Sequence, residues 1–183
     1  MGSDNPAGAD NQQERLIEQR GWVIGFVDGE GCFSIGSSAN PAAVPKRLQN
    51  RMAGGTRVRG YARASSIACL HELVDFFGVG MVIVSRRHDN DKEPLHRYVV
   101  RSRVDLRETI IPFFRAHPVR TAKRANFEKF AYRVDLIDRG VHLDPEGLIR
   151  IAEVAETMNR RKPRSDLIRI LRDHTPEVQD TGS

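Results

Sequence analysis

The 183-residue chain is predicted to fold as one α+β domain. Three observations carry that expectation. Segments with helical spacing and segments with two-residue alternation follow one another in the order helix, strand, strand, helix, strand, strand, then helices. The 39% apolar content supplies one sizeable hydrophobic core. No apolar run approaches the length of a membrane span, so no membrane partner is expected.

The elements follow in order. Residues 1 to 11 open with Met-Gly-Ser, lack a signal-peptide core, and read as a disordered segment or tag remnant. Residues 12 to 28 form a helix with Leu16, Ile17, Val23, Ile24 and Val27 at its apolar positions, ended by Gly29 to Gly31. Residues 31 to 38 alternate as a strand, with Phe33 and Ile35 on one side and Cys32, Ser34, Gly36 and Ser38 on the other. Residues 39 to 55, with Asn40-Pro41, Pro45 and Gly54-Gly55, are loop. In the second strand, TRVRGYARA, the period of two puts Arg57, Arg59, Tyr61 and Arg63 on one face and Val58, Gly60 and Ala62 on the other.

A helix over 66 to 77 turns Ile67, Leu70, Leu73, Val74 and Phe77 inward and is capped by Gly78. A hairpin follows, with strands near 80 to 87 and 95 to 103 and a polar turn from His88 to Pro94. Its second strand places Arg97, Arg101 and Arg103 on one face, and its first presents Met81, Ile83 and Ser85. Asp105 with Glu108 forms a capping box for a helix that Pro112 interrupts. Thr121 caps the next helix, whose Phe127, Phe130, Ala131 and Val134 face inward. Asp144-Pro145 opens one more, striped by Leu148, Ile151, Ala155 and Met158. Residues 161 to 183 are a basic linker and a short tail helix.

Charge narrows the partners. The net charge of +5 comes mostly from arginine, whose planar fork suits phosphates and guanine edges, so nucleic acid is the leading partner. The distribution is lopsided: Gly31 to His71 contains no Asp or Glu but holds Lys46, Arg47, Arg51, Arg57, Arg59 and Arg63. Cys32 and Cys69 lack paired spacing, which argues against zinc or a disulfide framework and fits a reducing, cytoplasmic compartment. His88, His96 and His117 have no ligand spacing and read as ordinary polar residues.

The stretch GWVIGFVDGEGCFSI, residues 21 to 35, holds the chemistry. Gly21, Gly25 and Gly29, spaced by four, make a smooth helix stripe suited to close packing on another helix. The plain reading leaves Asp28 and Glu30 as decoration on an exposed end. Yet acids at a helix C-terminus are unfavourable by roughly 0.3 to 1 kcal/mol unless something positive compensates, and a divalent cation would do so. The glycines are no dinucleotide fingerprint, because they end a helix and open a strand. No small-molecule substrate is expected.

VIGFVDGEG, residues 23 to 31, resembles the LAGLIDADG motif of homing endonucleases. GVG at 78 to 80, RTAKRANFEKF at 120 to 130 and HLDPEGL with the later MN between 142 and 159 are similar to the single-motif members of that family. The resemblance covers about residues 15 to 160 and implies the LAGLIDADG homing endonuclease fold: an αββαββα core with a curved antiparallel four-stranded sheet per subunit and additional C-terminal helices. The endonuclease domain is then 12 to 160.

The resemblance also implies roles. Two motif helices pack through Gly21, Gly25 and Gly29 in a homodimer, and Glu30 from each copy binds catalytic Mg²⁺, for which Mn²⁺ or Ca²⁺ can substitute. Asp28 matches a structural acid, and Lys123 matches the basic residue beside the scissile phosphate. Lys123 and Arg124 stand in the first turn of a helix, where a nearby phosphate would offset the dipole's repulsion of cations. The sheet lies in the major groove of double-stranded DNA, with Ser34, Ser38, Asn40, Arg57, Arg59, Tyr61, Arg63, Ile83, Ser85, Arg97 and Arg101 nominated for contact. A two-fold protein reads a pseudo-palindromic site of about two helical turns, roughly 20 bp.

One position departs from the family. A polar residue that orders water is expected where Ala62 stands, and Met81 and Ile83 occupy open-face positions where polar base readers are expected. Three functions therefore stay open on the sequence: a Mg²⁺-dependent DNA endonuclease, a non-cleaving or engineered DNA-binding protein on the same scaffold, and an intron RNA maturase.

Overall fold

The computed structural model describes residues 6–35, 56–85, 94–158 and 168. Helix α1 (Pro6–Glu30) leads into strand β1 (Cys32–Ile35), and β2 (Thr56–Arg63) pairs back against it. A 3-10 turn joins β2 to α2 (Ala68–Phe77), followed by β3 (Met81–Ser85) and β4 (Leu95–Val100). The strands form one antiparallel sheet in the order β1-β2-β4-β3, and the αββαββ order is the predicted one. The helices after it are α3 (Arg103–Asp105), α4 (Ile111–Ala116), α5 (Lys123–Asp138) and α6 (Pro145–Glu156).

One face of the sheet is covered by helices. Phe33, Val58, Tyr98 and Val100 point into that layer and are buried. Phe33 is its hub, with its ring 5.3 Å from Phe114, 5.1 Å from Phe127 and 5.6 Å from Phe130, so two helices, α4 and α5, meet on β1. Truncating such a ring costs about 3–5 kcal/mol. Helix α1 crosses β2 at Gly60, where a Cβ would stand 2.8 Å from Phe26 Cε1. A smaller cluster of Leu136, Ile137, Leu148, Ile151, Ala152 and Ile168 joins the end of α5 to α6.

Several helix ends follow the predicted chemistry. Gly78, at φ 65°, closes α2 by donating its N–H to Val74 O at 2.8 Å. Asp144 caps α6, accepting from Gly147 N at 2.7 Å. The predicted inward residues of the last two helices, Phe127, Phe130, Ala131, Val134, Leu148, Ile151, Ala155 and Met158, are all buried.

Other expectations are corrected. Helix α1 begins at Pro6 rather than near residue 12, because proline is tolerated at a first helical position whose N–H would be unpaired anyway. Leu16 and Ile17 are not core residues: they are 48% and 58% exposed, since that part of α1 buries no apolar face against the described residues. The cap before α3 is Ser102, whose hydroxyl accepts from Asp105 N at 3.3 Å, not Asp105 with Glu108. Pro112 does not interrupt the helical path; a π-helical turn over Leu106–Ile110 precedes it and accommodates its missing N–H. Arg103 opens α3 instead of extending the basic face of β4, which stops at Val100. Ser38, Asn40, Lys46, Arg47, Arg51, the turn at His88 and all of the 161 to 183 tail but Ile168 lie outside the described residues.

Candidate functional site

The site grows from the junction of two helix ends. Helix α1 finishes at Glu30, and Gly31 turns the chain into β1; a Cβ on Gly31 would lie 2.5 Å from Val27 O, so the abrupt turn requires glycine. The C-terminal carbonyls of α1 meet a cation. Lys123 Nζ, from the first residue of α5, donates to Val27 O at 3.2 Å, to Asp28 O at 2.8 Å and to Gly29 O. All three ammonium donors are thus directed at α1.

Asp28 makes the return connection. Its carboxylate accepts from Arg120 N at 3.0 Å, from Thr121 N at 3.2 Å and from the Thr121 hydroxyl, just before α5 begins. Partial desolvation pushes the carboxyl pKa up, but the Thr121 hydroxyl, the two N–H donors and the Lys123 charge together hold it below its ordinary value of 3.8. The Thr121 hydroxyl in turn accepts from Lys123 N at 3.3 Å, so the predicted cap is present but shared with Asp28. The expected reason for a cation at the start of α5 changes: carbonyls of α1, rather than a phosphate, offset the dipole. The same lysine charge favours the Asp28 carboxylate at the end of α1.

Glu30 remains free of this network. It is exposed and has no hydrogen-bond partner among the described residues. Cys32, two residues on, starts the open face of the sheet. Burial raises its thiol pKa, against the opposing pull of Arg59, which stands opposite it, and of Lys123, which reaches Gly29 O. No group of three or more His, Cys, Asp or Glu side chains converges among the described residues. At the end of α1, the carboxylate without a hydrogen-bond partner among the described residues is that of Glu30.

The open face is ordered in rows. Ser34 stands opposite Arg57; Cys32, Arg59, Val99 and Met81 align across all four strands; Tyr61, Arg97 and Ile83 make the next row, and Arg63, Leu95 and Ser85 the last. Arg101 follows just past the end of β4. The predicted alternation of β2 is observed, with Thr56, Val58 and Gly60 buried and Arg57, Arg59 and Tyr61 half-buried. Ser34 is the exception among the nominated contacts: it is nearly buried, and its hydroxyl donates to Arg57 O at 3.2 Å.

This face is electrostatically strained. Arg59 Nη1 donates to the Tyr61 hydroxyl at 3.3 Å, yet the Nε groups of Arg57, Arg59 and Arg97 are buried with no partner. No carboxylate among the described residues ion-pairs with Arg57, Arg59, Arg97 or Arg101, whereas Arg107, off this face, pairs with Glu108 and Asp138. Desolvation, then the charges of Arg59, Arg101 and Arg97, push the Arg57 guanidinium below its ordinary pKa. A polyanion laid on these rows would pair with the guanidinium charges and relieve the repulsion.

Two further nominations take a clear place. Gly21, Gly25 and Gly29 are exposed on α1, and a Cβ built on any of them meets nothing within 4 Å. Exposed Ile17 continues the same spacing of four. Ala62 lies on the helix side of β2, opposite His96, with its methyl packed against the core. Thr121 is the functional residue whose importance spacing did not reveal; only its capping chemistry was visible, because its partner is more than ninety positions away.

Residues 23–134, more than half of the chain, match the family profile described as LAGLIDADG endonuclease. The crystal structure of a homing endonuclease, I-TnaI, superposes with a TM-score of 0.64 at 34% identity, covering 84% of this chain and 96% of that one. The I-LtrWI LAGLIDADG homing endonuclease bound to target DNA gives a TM-score of 0.64 at 25% identity, over 79% of this chain and 45% of that one. A probable intron-encoded endonuclease 3 of Neurospora crassa is 28% identical over 143 residues, 75% of this chain and 24% of that protein. The chain spans about a quarter of the length of the curated relatives it matches.

Proposed function

Because the chain belongs to the LAGLIDADG endonuclease family, we propose that it is a sequence-specific double-stranded DNA endonuclease, acting as a homodimer on a long pseudo-palindromic site. The observation that carries this reading is the crowd of Arg57, Arg59, Arg97 and Arg101 on one open sheet face, with no acidic partner among the described residues, running up to Glu30. Relatives of known structure include an endonuclease bound to its target DNA.

The homodimer rests on two supports. The exposed Ile17, Gly21, Gly25 and Gly29 stripe lets a second α1 approach backbone to backbone. The chain also matches 45% of I-LtrWI, so two copies account for about that length. A two-fold pairing through this stripe brings the two α1 C-termini, and hence two Glu30 carboxylates, toward one axis.

The donor set fits a hard divalent cation. Glu30 is the free carboxylate; Asp28 is committed to Thr121, and the α1 carbonyls are committed to Lys123. Two Glu30 carboxylates with phosphate oxygens would hold Mg²⁺, an all-oxygen set that also accepts Mn²⁺ or Ca²⁺. Bound there, the ion supplies Lewis acidity, lowering the pKa of water and offsetting charge that develops on the phosphate. The chain's own residues do the rest. Arg57, Arg59, Arg97 and Arg101 bind and orient the duplex, Asp28 and Thr121 fix the turn that carries Glu30, and Lys123 holds a fixed positive charge beside the scissile phosphate.

One observation favours a second reading, a DNA-binding protein that does not cut. Ala62 carries only a methyl where a water-ordering polar group is expected, and that methyl is packed against the core. Selection from a randomised duplex library, run in Mg²⁺ and separately in Ca²⁺, decides between the two. Enrichment of one site with strand scission in Mg²⁺ is expected; enrichment without scission would establish the second reading instead.

A further inference from the structure

The open face is not uniformly basic. Its edge strand, β3, contributes exposed Met81 and half-buried Ile83, two apolar side chains on the face that the helices of the described residues leave open. Met81 is 54% exposed although it stands in the row of Arg59, and Ile83 stands directly opposite Arg97. Val99, which separates Arg59 from Met81, is buried, so the accessible apolar surface of this row belongs to Met81. Apolar side chains accessible beside arginines that have no acidic partner among the described residues call for a ligand that is anionic overall yet has an apolar group within a strand's width.

In the DNA major groove only one base-edge group fits that description, the C5-methyl of thymine. We propose that Met81 and Ile83 are specificity residues that read pyrimidine C5-methyl groups, while Arg97 and Arg59, one and two strands away, serve polar edges and phosphates. The assignment rests on the sheet being the DNA-reading face. Its spacing is concrete. Residues two apart on a strand repeat every ~6.6–6.8 Å, close to two base-pair rises of ~3.4 Å. Met81 and Ile83 therefore meet methyl-bearing pyrimidines about two base pairs apart in each half-site. Because the recognised group is the methyl and not the base, 5-methylcytosine should serve at the same positions, and deoxyuridine should not.

The test uses the full chain and the duplex enriched from the randomised library in Ca²⁺. Each thymine of a half-site is replaced singly by deoxyuridine, which deletes only the methyl. Affinity is expected to fall about three- to fivefold at two positions roughly two base pairs apart, the effect of one buried methyl each. Met81→Ser is expected to abolish the deoxyuridine effect at one of these positions, and Ile83→Thr at the other, as in a double-mutant cycle. 5-Methylcytosine placed there should outbind cytosine by a similar factor.

Deoxyuridine tolerated at every position would overturn the assignment, and that readout needs no variant. So would Met81→Ser dissolving an oligomer in sedimentation with the thymine dependence intact, since the edge would then belong to a second copy of the chain. If no duplex is enriched at all, the DNA-reading face itself fails and the methyl assignment with it.

Discussion

Asp28 and Lys123 exchange helix ends. The aspartate stands in the last turn of α1 and accepts hydrogen bonds from Arg120 N and Thr121 N ahead of α5; the lysine stands in the first turn of α5 and donates to the last carbonyls of α1. Each charge sits at the unfavourable pole of its own helix and the favourable pole of the other. Two locally poor choices thus become one tertiary contact, and Glu30 extends from it without having to contribute to it.

The first prediction concerns this exchange. Asp28→Asn weakens the charge-assisted hydrogen bonds to Thr121 and Arg120 and is expected to destabilise the fold by about 1 kcal/mol, the low end because the carboxylate is partly exposed and solvent screens it. The pH dependence has a definite sign. A carboxyl whose pKa is lowered in the folded state contributes stability above its ordinary value of 3.8 and loses it as pH falls through the folded value. Urea midpoints measured downward from about pH 5 should therefore fall less steeply for Asp28→Asn than for the parent. Parallel curves would mean that the carboxylate is not coupled to folding.

The second separates Lys123 from Glu30. Glu30 has no hydrogen-bond partner among the described residues, so Glu30→Gln should leave the thermal midpoint unchanged, preserve DNA binding in Ca²⁺ and abolish scission in Mg²⁺. Lys123→Met removes three donors from α1 as well as a charge from the site. Both scission, by about 10²-fold or more, and stability should fall. A Lys123→Met protein that unfolds more readily but cuts at the parental rate would reduce Lys123 to a helix cap. EDTA should stop scission and leave the melting curve of the DNA-free chain untouched, because no metal cluster forms within the described residues of one chain.

The third follows from repulsion on the open face. Burial and Arg59, Arg101 and Arg97 disfavour the charged Arg57, so Arg57→Gln should stabilise the free protein, raising its midpoint by about 1–3 °C at low salt. The same change should weaken DNA binding, and the slope of log affinity against log salt should become shallower if a phosphate contact is lost. A stabilised protein with undiminished DNA affinity would place Arg57 outside the interface. With both expected outcomes, stability and function would oppose each other at Arg57.

These residues also show how far the sequence could be read. The sheet's open face was legible because a two-residue period assigns Arg57, Arg59 and Tyr61 to one side whatever the tertiary context, and the register confirms it. The inward stripes of α5 and α6 were legible from the 3.6-residue helical period in the same way. The Asp28, Thr121 and Lys123 exchange was not, because dipole arguments applied helix by helix report only that each charge is misplaced. The partner that corrects it is another helix end, brought there by long-range folding. Leu16 and Ile17 misled in the opposite way. Apolar spacing shows which face of a helix is greasy, not whether the chain itself has anything to lay against it.

The fourth prediction tests what that unpartnered face of α1 is for. A Cβ on Gly21, Gly25 or Gly29 meets nothing within 4 Å, so alanine at any of them should not damage one copy of the chain, and removing glycine from a helix interior should stabilise it by about 0.5–1 kcal/mol. A second α1 packed on the stripe would clash with larger side chains. Gly25→Leu is therefore expected to leave the far-UV spectrum and the cooperative melt of the monomer intact while shifting sedimentation from dimer to monomer. Scission should be lost together with the dimer, since each copy supplies one Glu30. The informative comparison is Gly25→Leu mixed with Glu30→Gln: if the metal site is shared across the stripe, neither protein nor the mixture cuts. A mixture that regains scission would show that one Glu30 suffices, and a Gly25→Leu chain that remains dimeric would place the interface on another surface.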